Sequence, residues 1–310
     1  MSEMFCYQCQ EASGNRGCDK AGVCGKMPDV ARGQDFLIWL TKGLSAAAVQ
    51  SRKAGLPITR EVNHLVTGSL FMTITNANFD LAAIRAQTHR VLTALRSLRR
   101  QLPQGIALPE AARWDSEDEA LWADKEREIG VLSTRDEDVR SLRELVVYGL
   151  KGLSAYSKHA NVLLRDDEEV DLFIQQALTA TLDDSLNADQ LVQLVLDTGA
   201  AGVKGMALLD AANTGRYGDP EITQVDIGVR GRPGILVSGH DLRDLEMLLE
   251  QSRDAGIDIY THSEMLPAQY YPFFKQYPHF AGNYGNAWWK QKDEFDSFNG
   301  PILMTTNCIV

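Results

Sequence analysis

The pattern of apolar residues changes once along this 310-residue chain, near Ile222. From about Asp35 to Leu209, apolar residues recur every three to four positions, which is typical of amphipathic helices. Beyond Ile222, short apolar runs flank one helical stretch, as in a unit of strand, helix and parallel strand. We therefore expect a helical domain over residues 1–222 and a parallel α/β domain over residues 223–310.

Two apolar stripes define the helical part. Asp80 stands before the second stripe, where its carboxylate can cap the first turn of a helix. The stretch from Pro103 to Glu119 combines prolines with acidic residues and predicts a solvent-exposed connection. The first stripe consists of Phe36, Leu37, Leu40, Leu44 and Ala47, and the second of Leu81, Ile84, Val91, Leu95, Leu98 and Leu102.

A five-residue segment occurs twice in the helical part. Lys-Gly-Leu-Ser-Ala stands at residues 42–46 and again at residues 151–155. The match indicates two related helical bundles, with chance similarity as the alternative interpretation. In either case the small residues of the segment permit close packing between helices.

The α/β part contains three predicted strands, each followed by a residue that can bind metal. The strands are Gly234–Ser238, Ile257–Tyr260 and Pro301–Met304, with a helix over Asp241–Ala255 between the first two. The residues that follow them are His240, Glu264 and Cys308. Because ligands of open parallel sheets bind beyond the carboxyl ends of the strands, the three side chains are expected at one rim.

Imidazole, carboxylate and thiolate together suit iron better than a closed structural zinc site. Three simpler interpretations stay open from the residues alone. His240 could cap the helix that opens at Asp241, His262 competes with Glu264 for the ligand role, and Cys308 could be a small buried apolar residue.

The other four cysteines lie within the first 24 residues, as Cys6, Cys9, Cys18 and Cys24. Thiolates favour iron–sulfur clusters, zinc or copper(I), and the nearby glycines allow tight turns that bring amide groups close to sulfur. Disulfides would need an oxidising compartment, and no signal peptide is visible at the start of the sequence. Zinc sites usually combine two close cysteine pairs, whereas this run has one. The motif therefore indicates a cluster, with zinc and disulfides as alternatives.

Composition narrows the classes of partner. The formal net charge of −11 argues against a nucleic-acid surface, which needs clustered Lys and Arg. No uninterrupted apolar run reaches membrane-spanning length. Reduced thiols without a targeting segment predict a cytoplasmic protein that binds neither nucleic acid nor membrane.

Seven segments of the chain resemble the hybrid cluster protein family, also known as prismane proteins or hydroxylamine reductases. The resemblance spans the whole chain, and its motifs are highly specific. The segments are Met4–Glu11, Asn15–Cys18, Val23–Lys26, Thr73–Asn78, Ser238–Leu242, Tyr260–Pro267 and Thr305–Cys308.

The resemblance implies two iron–sulfur centres. The compact cysteine spacing is similar to that of family members whose N-terminal cysteines hold a [4Fe-4S] cluster, so this cluster is expected on Cys6, Cys9, Cys18 and Cys24. His240, Glu264 and Cys308 match three ligands of the hybrid [4Fe-2O-2S] cluster and would be the catalytic residues. The fold implied is a pair of three-helix bundles followed by the start of a Rossmann-like domain.

The activity implied is reduction of hydroxylamine to ammonia and water, with nitric oxide as a rival substrate, electrons from an external donor protein, and a role under nitrosative stress. The family takes further cluster ligands from a longer carboxyl-terminal half, whereas this sequence ends two residues after Cys308. We therefore expect the N-terminal part of a longer protein, with an incomplete α/β domain. The alternatives are an electron-transfer or redox-sensing module that carries only the N-terminal cluster, and a relative of nickel–iron carbon monoxide dehydrogenase.

Overall fold

The computed structural model describes residues 3–75 and 77–306. Ten α-helices and four strands lie in these ranges, with short 3-10 helices between some of them. In chain order the elements are α1 (Pro28–Lys53), α2 (Arg60–Met72), α3 (Leu81–Gln101), α4 (Glu110–Arg113), α5 (Glu119–Glu126), α6 (Glu137–Val162), α7 (Glu168–Ala180), α8 (Ala188–Tyr217), β1 (Gly234–Ser238), α9 (Leu242–Ser252), β2 (Asp258–Thr261), β3 (Phe280–Asn283), α10 (Gln291–Ser297) and β4 (Ile302–Met304).

The chain folds into two compact units. One, the helical unit, contains the chain up to Asn161 together with Asp166–Leu208. The other, the sheet unit, contains Val162–Arg165 and the chain from Leu209 onward. Helical structure predominates, and every strand pairing in the described chain is parallel. The expected domain limits, 1–222 and 223–310, stay a prediction.

Helix α1 is the centre of the helical unit and contacts α2, α3, α4, α5 and α7. Every residue of its predicted stripe is fully buried, and the stripe on α3 packs against it. Asp80 caps α3 as expected, because its Oδ1 accepts hydrogen bonds from the amides of Ala82 and Ala83 at 2.9 and 3.2 Å. Both apolar stripes are therefore confirmed as core.

The prediction that the connection from Pro103 to Glu119 is exposed is wrong at its centre. Ala111 and Ala112 form part of the short helix α4 and are buried against α1. The prolines and charged residues around them dominate the sequence pattern, but two alanine side chains are small enough to enter a tight contact between helices.

The sheet of the second unit has the strand order β3-β2-β1-β4. Strand β1 occupies the predicted residues, and β2 and β4 lie within one residue of theirs. Strand β3 was missed, because Phe280–Asn283 is short and contains a glycine. The observed order equals the first four strands of the doubly wound order 3-2-1-4-5-6.

Both faces of the sheet are covered, as is usual for parallel strands. Val237 and Ile259 pack with α9 on one face, whereas Leu236 and Tyr260 belong to a second cluster on the other. Because side chains alternate along a strand, neighbouring residues of β1 supply both cores.

Helix α8 is long and apolar enough to cross a membrane by length and composition, although Asp197 and Lys204 interrupt its apolar sequence. It is the one such helix in the described ranges. Length and composition alone do not identify a membrane span, since helices of soluble proteins pass the same test.

The repeated five-residue segment packs differently in its two copies. A Cβ atom on Gly43 would lie 2.3 Å from the carbonyl oxygen of Ala111, so α1 and α4 touch through this glycine. A Cβ atom on Gly152 would meet nothing within 4 Å. The expectation of close packing is therefore confirmed at Gly43 and wrong at Gly152.

We predict opposite effects of alanine at these two glycines. Gly43→Ala forces α4 away from α1 and is expected to lower the free energy of unfolding by about 1–3 kcal/mol. Gly152→Ala replaces an exposed glycine inside a helix with a better helix former. It is expected to raise the free energy of unfolding by up to about 1 kcal/mol. Urea unfolding followed by circular dichroism measures both variants. Equal effects would contradict the packing described for Gly43.

Candidate metal centres

The N-terminal cysteines line one small cavity. Cys6 and Cys18 face each other in an antiparallel bridge, with N–O distances of 3.0 and 2.8 Å between their backbones. Cys9 and Cys24 join them in the lining of the cavity. All four thiols are free, so the structure contains no disulfide among these cysteines. Residues distant by up to 18 positions thus converge through backbone hydrogen bonds.

A second turn brings Cys24 to this cavity. The amide of Gly22 donates to the carbonyl of Lys26 at 2.8 Å and closes the turn. A Cβ atom on Gly22 would lie 3.1 Å from the Cys24 Sγ, so glycine leaves the space that the thiol occupies. The amide of Ser13 lies 3.5 Å from the Cys18 Sγ and donates to it, which is the kind of contact expected around a thiolate ligand.

The four thiols differ in exposure. Cys18 is 5% exposed, Cys6 and Cys9 are half-buried, and Cys24 is exposed. Burial raises the pKa of Cys6, while the neighbouring charge of Lys26 acts in the opposite direction. Across residues 3–75 and 77–306, no three His, Cys, Asp or Glu side chains are grouped closely enough to hold one metal ion.

Two buried lysines accompany the cysteines, and the sequence pattern gave no sign of them. Lys26 is 2% exposed and donates to Gln34 Oε1 at 2.7 Å. Lys151 is 3% exposed and donates to Gln8 Oε1 and to the carbonyl of Thr73, both at 2.9 Å. Lysine side chains are almost always exposed, so burial of these two was not expected. The available sequence signals were the proximity of Lys26 to Cys24 and the repeated segment that contains Lys151.

The second candidate centre lies at the carboxyl ends of the strands in the sheet unit. His240 follows β1 and Glu264 follows the neighbouring strand β2, and both side chains are exposed. Parallel strands place both residues at the same edge of the sheet. Cys308, the third predicted ligand, lies outside the described residues.

Two threonines join the loops that follow β1 and β4. Thr306 Oγ1 accepts from the amide of His240 at 2.8 Å and lies 3.3 Å from its Nδ1. The Thr305 amide donates to the carbonyl of Ser238 at 2.9 Å. Because β1 lies between β2 and β4, this is the point where the strand order changes direction, which is where doubly wound sheets bind ligands.

His262 does not compete with Glu264 for an exposed position. It is fully buried, with Nδ1 3.1 Å from Ser238 Oγ and Nε2 2.9 Å from Glu294 Oε2. Both ring nitrogens thus have protein partners. The helix cap after β1 is the side chain of Asp241, which accepts from the amides of Arg243 and Asp244, so His240 is not needed as a cap.

The residue before Glu264 has an unusual conformation. Ser263 has φ of +52°, a left-handed conformation that is uncommon outside glycine. Its Oγ is buried and has no hydrogen-bond partner within the part of the chain that the structure describes. Strained residues and unsatisfied polar atoms concentrate at functional sites. Ser263 has both features, which supports a functional site at this edge of the sheet in addition to the candidate ligands.

One family of known proteins matches nearly the whole chain. The sequence profile of the Prismane/CO dehydrogenase family matches residues 4–310. The chain is 56% identical over 307 residues to the hydroxylamine reductase of Desulfovibrio desulfuricans, covering 99% of this chain and 56% of that protein. It is also 56% identical over 312 residues to the hydroxylamine reductase of Clostridium perfringens, covering 99% and 57%.

The chain thus spans a little over half the length of these curated relatives. Among solved structures, a Ni-free carbon monoxide dehydrogenase from Thermococcus sp. AM4 aligns with 99% of this chain and 46% of its own, at 13% identity and a TM-score of 0.34. A TM-score of this size does not establish a shared fold.

The exposure of the thiols predicts their order of alkylation in the metal-free protein. We expect Cys24 to react first and Cys18 at least about tenfold more slowly, since a reagent must reach the thiolate. Because burial raises the pKa of Cys6 above its ordinary value of 9.0, its labelling should continue to accelerate as the pH rises past 9. Timed iodoacetamide labelling with peptide mass spectrometry measures each rate. Urea-unfolded protein is the control, in which the differences should vanish; equal rates in folded protein would contradict this geometry.

Proposed function

Because the chain belongs to the Prismane/CO dehydrogenase family, we propose that it acts in an iron–sulfur oxidoreductase that reduces hydroxylamine. The observation that carries the proposal is 56% identity over nearly the whole chain to proteins named hydroxylamine reductase. The reaction breaks the N–O bond and takes up two electrons and two protons, which yields ammonia and water. An external donor protein supplies the electrons. We place the protein in the cytoplasm, where its thiols stay reduced.

Cys6, Cys9, Cys18 and Cys24 would hold a [4Fe-4S] cluster. Four free thiols line one cavity, which fits the four cysteine ligands that such a cluster needs. The chain itself shields three of these positions from water and directs the Ser13 amide toward the Cys18 sulfur. Such hydrogen bonds and the degree of solvent exposure set the reduction potential of a bound cluster.

His240 and Glu264 would hold the hybrid [4Fe-2O-2S] cluster together with Cys308. Imidazole and carboxylate at the switch point of the sheet fit this proposal, as does the strained Ser263 beside Glu264. When bound, the clusters supply electrons and an open iron for the substrate. Thr306 contacts the His240 ring and fixes its orientation, which is the usual role of the group behind a metal-binding histidine.

We also propose that the helical part consists of two three-helix bundles and that the sheet begins a Rossmann-like domain. Helices α1 and α6 both have 26 residues, and α2 and α7 both have 13. A third helix that is longer than the second follows each pair, namely α3 with 21 residues and α8 with 30. The repeated five-residue segment begins at the fifteenth residue of both α1 and α6, which supports a duplication over chance similarity.

We predict that Glu264→Gln spares the N-terminal cluster and abolishes hydroxylamine reduction. The amide cannot supply a negative charge to iron, whereas the cysteines of the helical unit are unchanged. Anaerobic iron and sulfide analysis, electron paramagnetic resonance and ammonia production are the measurements. The matched control is Asp254→Asn, an exposed acid in the loop before β2 and hence at the opposite edge of the sheet, which should keep full activity.

Each outcome of that experiment has a distinct meaning. Full activity in Glu264→Gln would remove Glu264 from the mechanism. An unmodified protein with only the four irons of a cubane would contradict the hybrid site and favour an electron-transfer module. Nitrous oxide from nitric oxide, without ammonia from hydroxylamine, would change the substrate and leave the metal centres as proposed.

A further inference from the structure

Lys26 and Lys151 are buried, and in the described chain neither ammonium donates a hydrogen bond to a carboxylate. Their hydrogen-bond acceptors are neutral: the side-chain amide oxygens of Gln34 and Gln8, and the carbonyl of Thr73. The Lys151 ammonium also lies 5.9 Å from the centre of the Tyr148 ring. Within the described ranges, neither ammonium forms an ion pair at 4.0 Å or less, although both lysines are almost completely buried. The carboxylates of Glu144 and Asp35 act on Lys151 from farther away.

A buried charge of this kind is unfavourable unless an opposite charge accompanies it. Removing an ammonium group from water costs several kcal/mol, and one or two neutral hydrogen bonds do not replace its hydration. Burial correspondingly lowers the pKa of Lys151 to about 8, and the like charge of Lys26 contributes to the shift. Two like charges in one dry region, with no carboxylate bonded to either, favour a further anion nearby.

Lys26 adjoins the cysteine cavity directly, and Lys151 adjoins it through Gln8. Lys26 lines the cavity beside the four thiols. Lys151 holds Gln8, which lines the same cavity and stands between Cys6 and Cys9. Both charges act on the Cys6 thiol, and the opposing carboxylate that acts on it is Asp35. Four thiolates around a [4Fe-4S] core carry a net negative charge, which grows by one on reduction.

We propose that Lys26 and Lys151 are the internal counter-ions of the N-terminal cluster and raise its reduction potential. This inference rests on the proposed function, since it needs a cluster on the four cysteines. Each positive charge favours the more negative, reduced state, because a fixed charge in a water-poor site interacts strongly with the added electron. The lysines are thus positioning and tuning residues for electron entry, and they do not touch the substrate.

The test compares variants that separate charge from packing. Lys→Met removes charge and donor, Lys→Gln keeps a donor without charge, and Lys→Arg keeps the charge. The protein is loaded anaerobically with iron and sulfide, and the cluster is titrated by electron paramagnetic resonance at defined potentials. We expect Lys26→Met and Lys151→Met to lower the equilibrium constant for reduction at least about tenfold, which equals about 59 mV for one electron. Lys→Gln should resemble Lys→Met, and Lys→Arg the unmodified protein.

Two further variants control for unspecific effects. Lys42→Met removes the lysine at the equivalent position of the repeat, which is not among the charges that act most on Cys6, and should leave the potential unchanged. Asp35→Asn should shift the potential upward when measured well above the Asp35 pKa of about 7, to which burial and then Glu144 raise it. A change of opposite sign cannot come from a general loosening of the fold.

The outcomes separate this inference from the function on which it rests. Absence of any cluster in the unmodified protein would contradict the proposed function. An intact cluster whose potential does not fall in the Met and Gln variants would overturn the inference alone. If those variants lose the cluster, retention in the Arg variants supports the charge requirement, whereas loss there too shows a packing role and overturns it.

Discussion

Burial of helix α1 on nearly every side is the constraint around which the helical unit is arranged. Five other helices contact α1, so each of its faces has a fixed partner. Gly43 allows the approach of α4, and Gln34 near the start of the helix holds the ammonium of Lys26. The cysteine loop therefore joins the best-packed element of the unit directly. A loop with little core of its own obtains defined thiol positions in this way.

The two candidate centres are organised by different physical means. In the N-terminal loop, backbone hydrogen bonds between Cys6 and Cys18 and across the Gly22 turn set the positions of the sulfurs. At the sheet rim, topology does this, because parallel strands end at one edge and the strand order changes direction beside β1. Threonine side chains then connect the loops after β1 and β4. Local bonding suits a compact motif, whereas topology brings together ligands that are distant in sequence.

The sequence alone predicted the elements that have a periodic apolar pattern or a characteristic residue such as a helix cap. These were both apolar stripes, the Asp80 cap and three of the four strands. Prediction from the sequence failed where the burial of a residue differs from what its type or its neighbours indicate. Ala111 and Ala112 lie within a polar stretch yet are buried, and β3 has no alternating pattern. The buried state of Lys26 and Lys151 was equally hidden, since lysine is normally exposed and only the surrounding fold shows that these two are not. Family membership, by contrast, could be predicted from motifs, because the cysteine spacing and the residues after the strands can be read directly from the linear sequence.

The repeated segment shows why identical local sequence does not determine local environment. Its glycine contacts α4 in one copy and faces open space in the other. Its lysine is half-buried near Glu144 in the first copy, whereas Lys151 in the second holds Gln8 of the cysteine loop. The difference comes from the partner. Helix α4 packs against α1, whereas Gln8 of the loop accepts a hydrogen bond from the lysine on α6. Two helices with the same segment can thus share a core pattern and differ in their other contacts, because the core depends on periodicity and the contacts depend on which segment packs against each helix.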